Sequence, residues 1–386
     1  MEACQDGVSH GTQHGLMEVA WHSSPSYTPR RENPTVARAR ELVLEHGWNS
    51  TSFQIVNPGI ERWFSRDGDA VVGYVRANGT RVVAGAPVCE KERLAEIVAK
   101  FEAAARKKHE RVCYFAAETR LESLIGQDPG YTKFLLGAQP TWHPAFWAEN
   151  IAHHRSLRAQ LNRARNKGVT VAEWPIERAR NNAELAECLA QWLDSKGLPP
   201  LHFMVEPDTL ARLENRRVFV ATCGDIVVGF VVLSPVARRN GWLFEQFPHR
   251  PGAPNGTVEL MIDAAMRALA DEGSDYATLG LSPLSKRAST VSRGEPLWLR
   301  FVLTWVRKHG QRFYNFEGLD AFKAKLRPER WEPVFAVSNE PRLSFRTLYA
   351  IAGAFSGGRP VKMLAGGIAK AVSTELQWLK ERVFAS

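Results

Sequence analysis

A mixed α/β fold in which one unit occurs twice is the architecture this sequence predicts, and three observations predict it. The octapeptide GDAVVGYV begins at Gly68, and GDIVVGFV begins at Gly224. Each follows a short apolar segment, ERWFSRD or RVFVATC, and each is followed by another strand-like run. Each half then passes through a Gly-Ala-Pro stretch and an amphipathic helix into a further strand, RVCYFAA or YATLGLS. An octapeptide alone is weak, because Gly-Asp turns between valine-rich strands are common. Its agreement with the order of the elements that follow makes duplication the better reading.

In chain order, residues 1–33 are rich in turn formers and poor in periodic hydrophobicity, so they read as a disordered lead-in. Pro34 then opens the helical run TVARARELVLEHG, which Gly47 stops. The first unit is expected over 34–150 and the second, catalytic one over 170–340. Between them, at 151–169, HHRSLRAQLNRARNKG reads as a basic helix. There Arg155, Arg158, Asn162 and Arg165 fall on one face, Leu157, Leu161 and Ala164 line another, and Lys167 with Gly168 closes it. No acidic residue lies between His153 and Gly168, and guanidinium forks suit phosphate oxygens, so the face is a candidate phosphate-binding ridge. The competing reading is an ordinary solvated helix face. Residues 341–386 read as an amphipathic helical tail, in which Lys362, Lys370, Lys380 and Arg382 alternate with aliphatics and Trp378. It is expected to pack on the body, with an interfacial helix drawn to anionic lipid as the alternative.

Composition narrows the classes further. Hydrophobic residues at 44% and charged residues at 24% exclude wholesale disorder. The net charge of +9 favours an anionic partner: nucleic acid, an acidic lipid surface or a phosphorylated substrate. Five widely spread cysteines with no C-x-x-C pair suit free thiols in a reducing cytoplasm. No metal site is spelled out, and His10 and His14 sit in the Gly/Ser-rich lead-in. Without a basic, then apolar, N-terminus no signal peptide is expected. No apolar run reaches the roughly 18–20 residues that span a bilayer. The expected location is the cytoplasm, with peripheral contact at the inner face of the cell membrane.

The element order matches the GNAT acyltransferase fold, so two GNAT-like domains with mostly antiparallel sheets are expected. A GNAT enzyme that uses acetyl-CoA places a glycine-rich turn at a helix N-terminus, where backbone N–H groups bind the pyrophosphate. Here that loop reads HRPGAPNGT, and the first half offers AGAPVCEKE. Proline has no N–H to offer, so neither loop is a good cradle and another acyl donor is implied.

Three blocks carry a more specific likeness: FPHRPGAPNGTVELMIDAAM, LGLSPLS at 279–285, and YNFEGLDAFKAKLRPERWEPVF from Tyr314 to Phe335. In order and spacing they resemble the cytosolic domain of the aminoacyl-phosphatidylglycerol synthases, the lysyl- and alanyl-phosphatidylglycerol transferases also called multiple peptide resistance factors. The segments QWLDSKGLPPLHF and SLRAQLNRARNKGV resemble counterparts in that family too. More distantly, the double layout resembles the Fem-type peptidoglycan aminoacyltransferases. Family members usually carry a multi-helix membrane domain ahead of this region. Only a polar tail precedes it here, so the flippase function is expected to be missing from this chain.

The resemblance implies transfer of a lysyl- or alanyl-type group from aminoacyl-tRNA to a hydroxyl of phosphatidylglycerol or a related lipid, with no metal and no cofactor besides the charged tRNA. Such a reaction needs oxyanion stabilisation, recognition of an ammonium and neutralisation of phosphates. By that resemblance Lys323 and Lys325 are catalytic candidates in a strand-and-turn element. Glu317, Glu245 and Glu259 are candidates to bind the ammonium or accept a proton. Arg250 and Arg327 would meet phosphate, and Asn255 and Ser282 would make polar pocket contacts. Arg155, Arg158, Arg165 and Lys167 would meet tRNA phosphates. Two other functions compete: a CoA-dependent N-acyltransferase acting on a small amine, and a non-catalytic tRNA- or membrane-binding module.

Overall fold

A computed structural model describes residues 33–195, 203–206, 209–288, 316–342 and 344–356. Nearly all of the lead-in and the lysine-bearing part of the tail, with Lys362, Lys370, Trp378, Lys380 and Arg382, lie outside the described residues.

The first helix, α1 (Pro34–His46), begins where the Asn33 side chain accepts from the Thr35 amide, and it ends where the Gly47 amide returns to the Val43 carbonyl. Strands β1 (Glu61–Phe64), β2 (Val71–Ala77) and β3 (Thr80–Ala84) follow, then α2 (Leu94–Arg106), β4 (Arg111–Ala117), α3 (Thr119–Ile125) and β5 (Thr132–Trp142). The chain crosses through α4 (Trp147–His153) and α5 (Arg155–Asn166) to β6 (Val169–Trp174), α6 (Ile176–Ala179) and α7 (Ala183–Asp194). The second half has β7 (Arg217–Cys223), β8 (Ile226–Val236), β9 (Gly241–Gln246), α8 (Thr257–Asp271), β10 (Tyr276–Thr278) and β11 (Ser282–Pro283). It closes with α9 (Phe316–Lys325), β12 (Arg330–Ser338) and α10 (Phe345–Phe355).

The repeated octapeptide marks a repeated topology. Strands β1, β2 and β3 are antiparallel neighbours and β3 pairs parallel with β4 across α2. Strands β7, β8 and β9 repeat that pattern, and β9 pairs parallel with β10 across α8. Both copies place the octapeptide at the turn into the second strand, in the GNAT-like order. These are two GNAT-like α/β units, mostly antiparallel and flanked by helices.

The units do not keep their own last strands. The sheet order is β1-β2-β3-β4-β12-β5-β10-β9-β8-β7-β6, with β11 also on β5. Strand β12, from the second half of the chain, enters between β4 and β5, and β5 crosses to pair with β10. The exchange joins both halves into one sheet, so no cut between residues 150 and 170 separates it. The β12–β5 ladder runs from Arg330 opposite Thr141 to Ser338 opposite Thr132, with a bulge between Val334 and Phe335.

Helix faces follow the apolar periodicity. Leu157, Leu161 and Ala164 of α5 are buried against Leu260, Met261 and Ala265 of α8, together with Trp142 and Trp147. In the first half Ile97, Val98 and Phe101 of α2 cover Val72, Val83 and Val112 of the sheet. Cys89, Cys113 and Cys188 are buried free thiols. Ala350 and Ala354 of α10 pack onto the first half beside Phe115.

A cross-brace holds the seam on one face. Arg239 grips Glu332 of β12 with Nη1 and Nη2 at 2.8 and 2.5 Å, and reaches Glu118 at 3.3 Å. Its guanidinium lies 3.6 Å from the Tyr276 ring centroid. Burial works against this cation, but Glu332, Tyr276 and Glu118 outweigh it and raise its pKa.

The closest backbone approach at the exchange is at Gly137, with φ +154° and the carbonyl of Ser282 where a side chain would stand. Gly137→Ala should therefore destabilise the fold by about 2 kcal/mol or more, read as a lowered midpoint in urea denaturation.

Candidate active site around Lys323

The site is built where β10 hands over to β11. Thr278 donates through Oγ1 to the Pro140 carbonyl at 2.8 Å and accepts from the Gly280 amide at 3.1 Å. Gly280 takes φ +68°, which turns the chain toward Ser282, paired with Ala138 of β5. This turn presents two carbonyls, Gly280 and Leu281, to α9. Lys323 Nζ donates to each of them at 2.9 Å.

The segment expected as a strand and turn is instead a helix followed by a strand. Phe322 and Leu326 of its helical end pack with the second-half core. Trp142 Nε1 donates to the carbonyls of Leu326 and Arg327, at 3.2 Å each, and Asn150 Nδ2 reaches the same pair at 3.1 and 3.2 Å. Arg327 at φ +54° ends the helix just before Pro328.

Lys323 is 4% exposed. Burial lowers its pKa to about 7, opposed only by the charge of Asp320. The folded chain thus sheds this proton near pH 7, whereas an unfolded lysine keeps it to its ordinary 10.5. This residue's contribution to stability therefore rises as pH climbs between those values and is lost as pH falls toward 7.

Two further groups here have unspent capacity. Ser282 is fully buried and its Oγ has no hydrogen-bond partner among the described residues. Asp320 accepts from Arg287 at 2.7 Å through Oδ2, while its buried Oδ1 has no partner among the described residues. A neutral amine has two N–H donors and one lone pair. With both donors given to carbonyls, Lys323 keeps the lone pair of a base; once protonated, it has a third N–H to donate.

The other sequence candidates are spread over the molecule. Lys325 Nζ sits 2.8 Å from Glu259 Oε1, tying α9 to α8. Glu245 is held by Arg216 at 3.0 Å and by Gln54 at 3.0 Å. Arg250 is bound to Glu187 at 3.1 Å and to the Val227 carbonyl at 2.7 Å. Glu317, Asn255 and Arg327 are exposed. On α5, Arg155, Arg158 and Lys167 are exposed, and Arg158 donates to the carbonyls of Ile151 and Ala152. Arg165 pairs with buried Asp263 of α8 at 2.7 Å, so a carboxylate distant in sequence offsets part of the ridge. Asp320 and Arg287 were not among the candidates. A helical reading would have found Asp320, because it stands three residues before Lys323 on one face.

Among the described residues no group of three or more His, Cys, Asp or Glu side chains is placed to hold a metal ion. Nor is any described helix long and apolar enough to cross a membrane.

The exchanged double unit, with a buried lysine on turn carbonyls, defines a tandem protein of the GNAT-like acyltransferase fold class. Residues 40–338 match the family described as phosphatidylglycerol lysyltransferase, C-terminal, and the chain belongs to that family. It is 22% identical to a phosphatidylglycerol lysyltransferase of Bacillus subtilis over 345 residues, 87% of this chain and 38% of that protein. It is 25% identical over 229 residues to the lysylphosphatidylglycerol biosynthesis bifunctional protein LysX of Mycolicibacterium vanbaalenii, 56% of this chain and 20% of that protein. The chain thus spans less than two fifths of either relative. In fold it is similar to the C-terminal domain of a putative lysylphosphatidylglycerol synthetase from Agrobacterium fabrum. That match has a TM-score of 0.71 and 23% identity, covering 84% of this chain and 98% of that one. The L-PGS structure from Bacillus licheniformis matches with a TM-score of 0.68 and 21% identity, covering 82% of this chain and 95% of that one.

The Lys325–Glu259 pair links α9 to α8. Lys325→Ala should cost about 1–3 kcal/mol by leaving Glu259 buried alone, and Lys325→Ala with Glu259→Gln should recover part of it. Chemical denaturation of the single and double variants measures the recovery.

Proposed function

We propose that the chain is a tRNA-dependent aminoacyltransferase that moves an aminoacyl group, of lysyl or alanyl type, to a hydroxyl of phosphatidylglycerol or a related lipid. The observation that carries this reading is Lys323, a buried amine whose two neutral-form donors both go to carbonyls. Family membership supports the substrate class, and relatives named as phosphatidylglycerol lysyltransferases supply the precedent.

In this reading the Lys323 lone pair takes the proton of the acceptor hydroxyl as its oxygen attacks the aminoacyl ester carbon. The Ser282 hydroxyl, which has no other partner among the described residues, donates to the tetrahedral oxyanion. The bond to the ribose oxygen then breaks, and Lys323 returns the proton to that leaving oxygen. No metal enters this sequence.

A CoA donor fits less well. The loop before α8 keeps its two prolines, and Gly256 at its end is packed against the Gln160 carbonyl of α5. That helix start therefore lies close against α5, which leaves less room than an open pyrophosphate cradle needs.

With labelled aminoacyl-tRNAs and phosphatidylglycerol vesicles, extracted lipid should carry the label. Its rate should rise with pH through about 7, where neutral Lys323 forms. Lys323→Met should lower the rate by roughly 100-fold or more and remove that inflection. Wild-type rates in this variant would count decisively against the mechanism.

The exposed part of α5 is the proposed tRNA contact. Replacing Arg155 and Arg158 by Gln should weaken tRNA binding and reduce the salt slope by about one per arginine, measured by filter binding over a salt series. Arg165→Gln should instead lower stability, because it leaves Asp263 with one cation fewer.

A further inference from the structure

Helix α10 buries one face and leaves an apolar stripe on the other. Thr347, Ala350, Gly353 and Ala354 are buried against the first half, with Gly353 set close to Ala77 of β2. Phe345 and Tyr349 stand one helical turn apart and are 69% and 43% exposed. Half-buried Ala352 continues their line. Among the described residues no other large hydrophobic is as exposed as Phe345. Aromatics left in water on successive turns of one helix mark a contact surface.

The charge around the stripe selects the partner. Residues 341–356 contain two arginines, Arg342 and Arg346, and no aspartate or glutamate. Both arginines are exposed, and neither has a carboxylate within salt-bridge distance among the described residues. The helix starts where Arg111 Nη1 donates to Ser344 Oγ at 3.0 Å and pairs with Glu340 at 2.6 Å. Arg111 opens β4 three residues after Lys108. The exposed run of Arg106, Lys107 and Lys108 therefore stands at the same end of the sheet. Carboxylates there are already engaged, Glu340 by Arg111 and Glu110 by Arg76 and Arg81.

The stripe also belongs to the side of the sheet that holds Lys323. The cluster that α10 covers includes Phe134 of β5, with Leu136 and Leu281 packed against it, and Lys323 donates to the Leu281 carbonyl. A surface that meets α10 thus lies on the face of the candidate site rather than behind it.

We propose that α10 docks the protein on an anionic phospholipid surface. Phe345 and Tyr349 enter the headgroup layer, and Arg342 and Arg346 meet lipid phosphates. Phenylalanine and tyrosine suit the boundary between hydrocarbon and water, where the tyrosine hydroxyl stays wet. Apolar burial and charge attraction add, so binding has a salt-resistant part and a salt-sensitive part. The docking deepens the aminoacyl-transfer reading and rests on it for its purpose, but the contact itself needs no tRNA.

Flotation of the full chain with vesicles of equal phosphatidylglycerol and phosphatidylcholine tests this over a salt series, with no tRNA present. The chain should bind them, and should bind pure phosphatidylcholine vesicles roughly tenfold more weakly. Phe345→Ser with Tyr349→Ser should lower partition by about tenfold at every salt concentration. Arg342→Gln with Arg346→Gln should lower it about tenfold at low salt and little at high salt. All four positions are exposed, so the urea midpoints should match that of the parent. If these results hold while the parent moves no label from aminoacyl-tRNA, the transfer reading fails and the docking surface stands. Unchanged partition of the aromatic variant, or equal binding to pure phosphatidylcholine, would overturn the proposal. A lowered urea midpoint in the aromatic variant would assign the stripe to another segment of this chain. Self-association that sedimentation shows the variant to lose would assign it to a second copy, and either result overturns lipid docking.

Discussion

The pairing of β12 with β5 is the constraint on which the site depends. Nine residue pairs join these strands, and only a few residues separate the end of α9 from the start of β12. Once β12 is in register, α9 has little freedom in where it can lie. It must cover the same face as Ala138 and Trp142, and Trp142 and Asn150 then hold its terminal carbonyls. Lys323 meets the Gly280 and Leu281 carbonyls because β11 is pinned to the other edge of β5. The amine and its acceptors thus come from segments that β5 alone aligns. A slip of one residue in β12 would exchange the faces of all its side chains, and would take Glu332 away from Arg239 as well.

Electrostatics divides the cations into those already neutralised and those with capacity left. Arg250, Arg165, Arg239 and Lys325 each have a carboxylate partner supplied from another element. Their charge is largely used in holding helices and strands together, with the worth of each pair set by how far solvent screens it. Lys323 is different because its contacts are carbonyl oxygens, which satisfy N–H donors without a full countercharge. Burial can therefore act on it almost unopposed, and its pKa falls while that of Arg239, buried but paired, rises. The same chemistry of pairing separates a cation that keeps its proton from one that burial can neutralise.

This division explains how much could be read beforehand. The octapeptide repeat, the helix ending at Gly47 and the buried stripe of Leu157, Leu161 and Ala164 all follow from local pattern, and the tertiary structure agrees with them. The strand exchange left no local trace, because β12 and β5 look like ordinary strands whichever neighbour they take. The helix α9 was obscured by the lysine it buries. Phe316, Leu319 and Leu326 follow a helical period, but the inward position between them holds Lys323, and a lysine reads as surface. Asp263 and Glu187 were equally out of reach, since a carboxylate from another element cannot be counted from the run of arginines it neutralises.

The cost of burying Lys323 bears on why a lysine stands there. A charged ammonium in this position would be strongly disfavoured, and the fold reduces that penalty by letting the proton go near neutral pH. A leucine in its place would pack without any such cost, but it would leave the carbonyls of Gly280 and Leu281 without the donor they now share. Those carbonyls could instead have been bonded by backbone amides, as in an ordinary strand. The turn at Gly280 directs them to a titratable side chain, next to a serine hydroxyl and a carboxylate oxygen that have no partners among the described residues. Three buried polar groups with spare capacity in one place are a poor solution for stability alone. They suit a site in which a substrate completes the hydrogen bonding and the lysine changes protonation state as it does so.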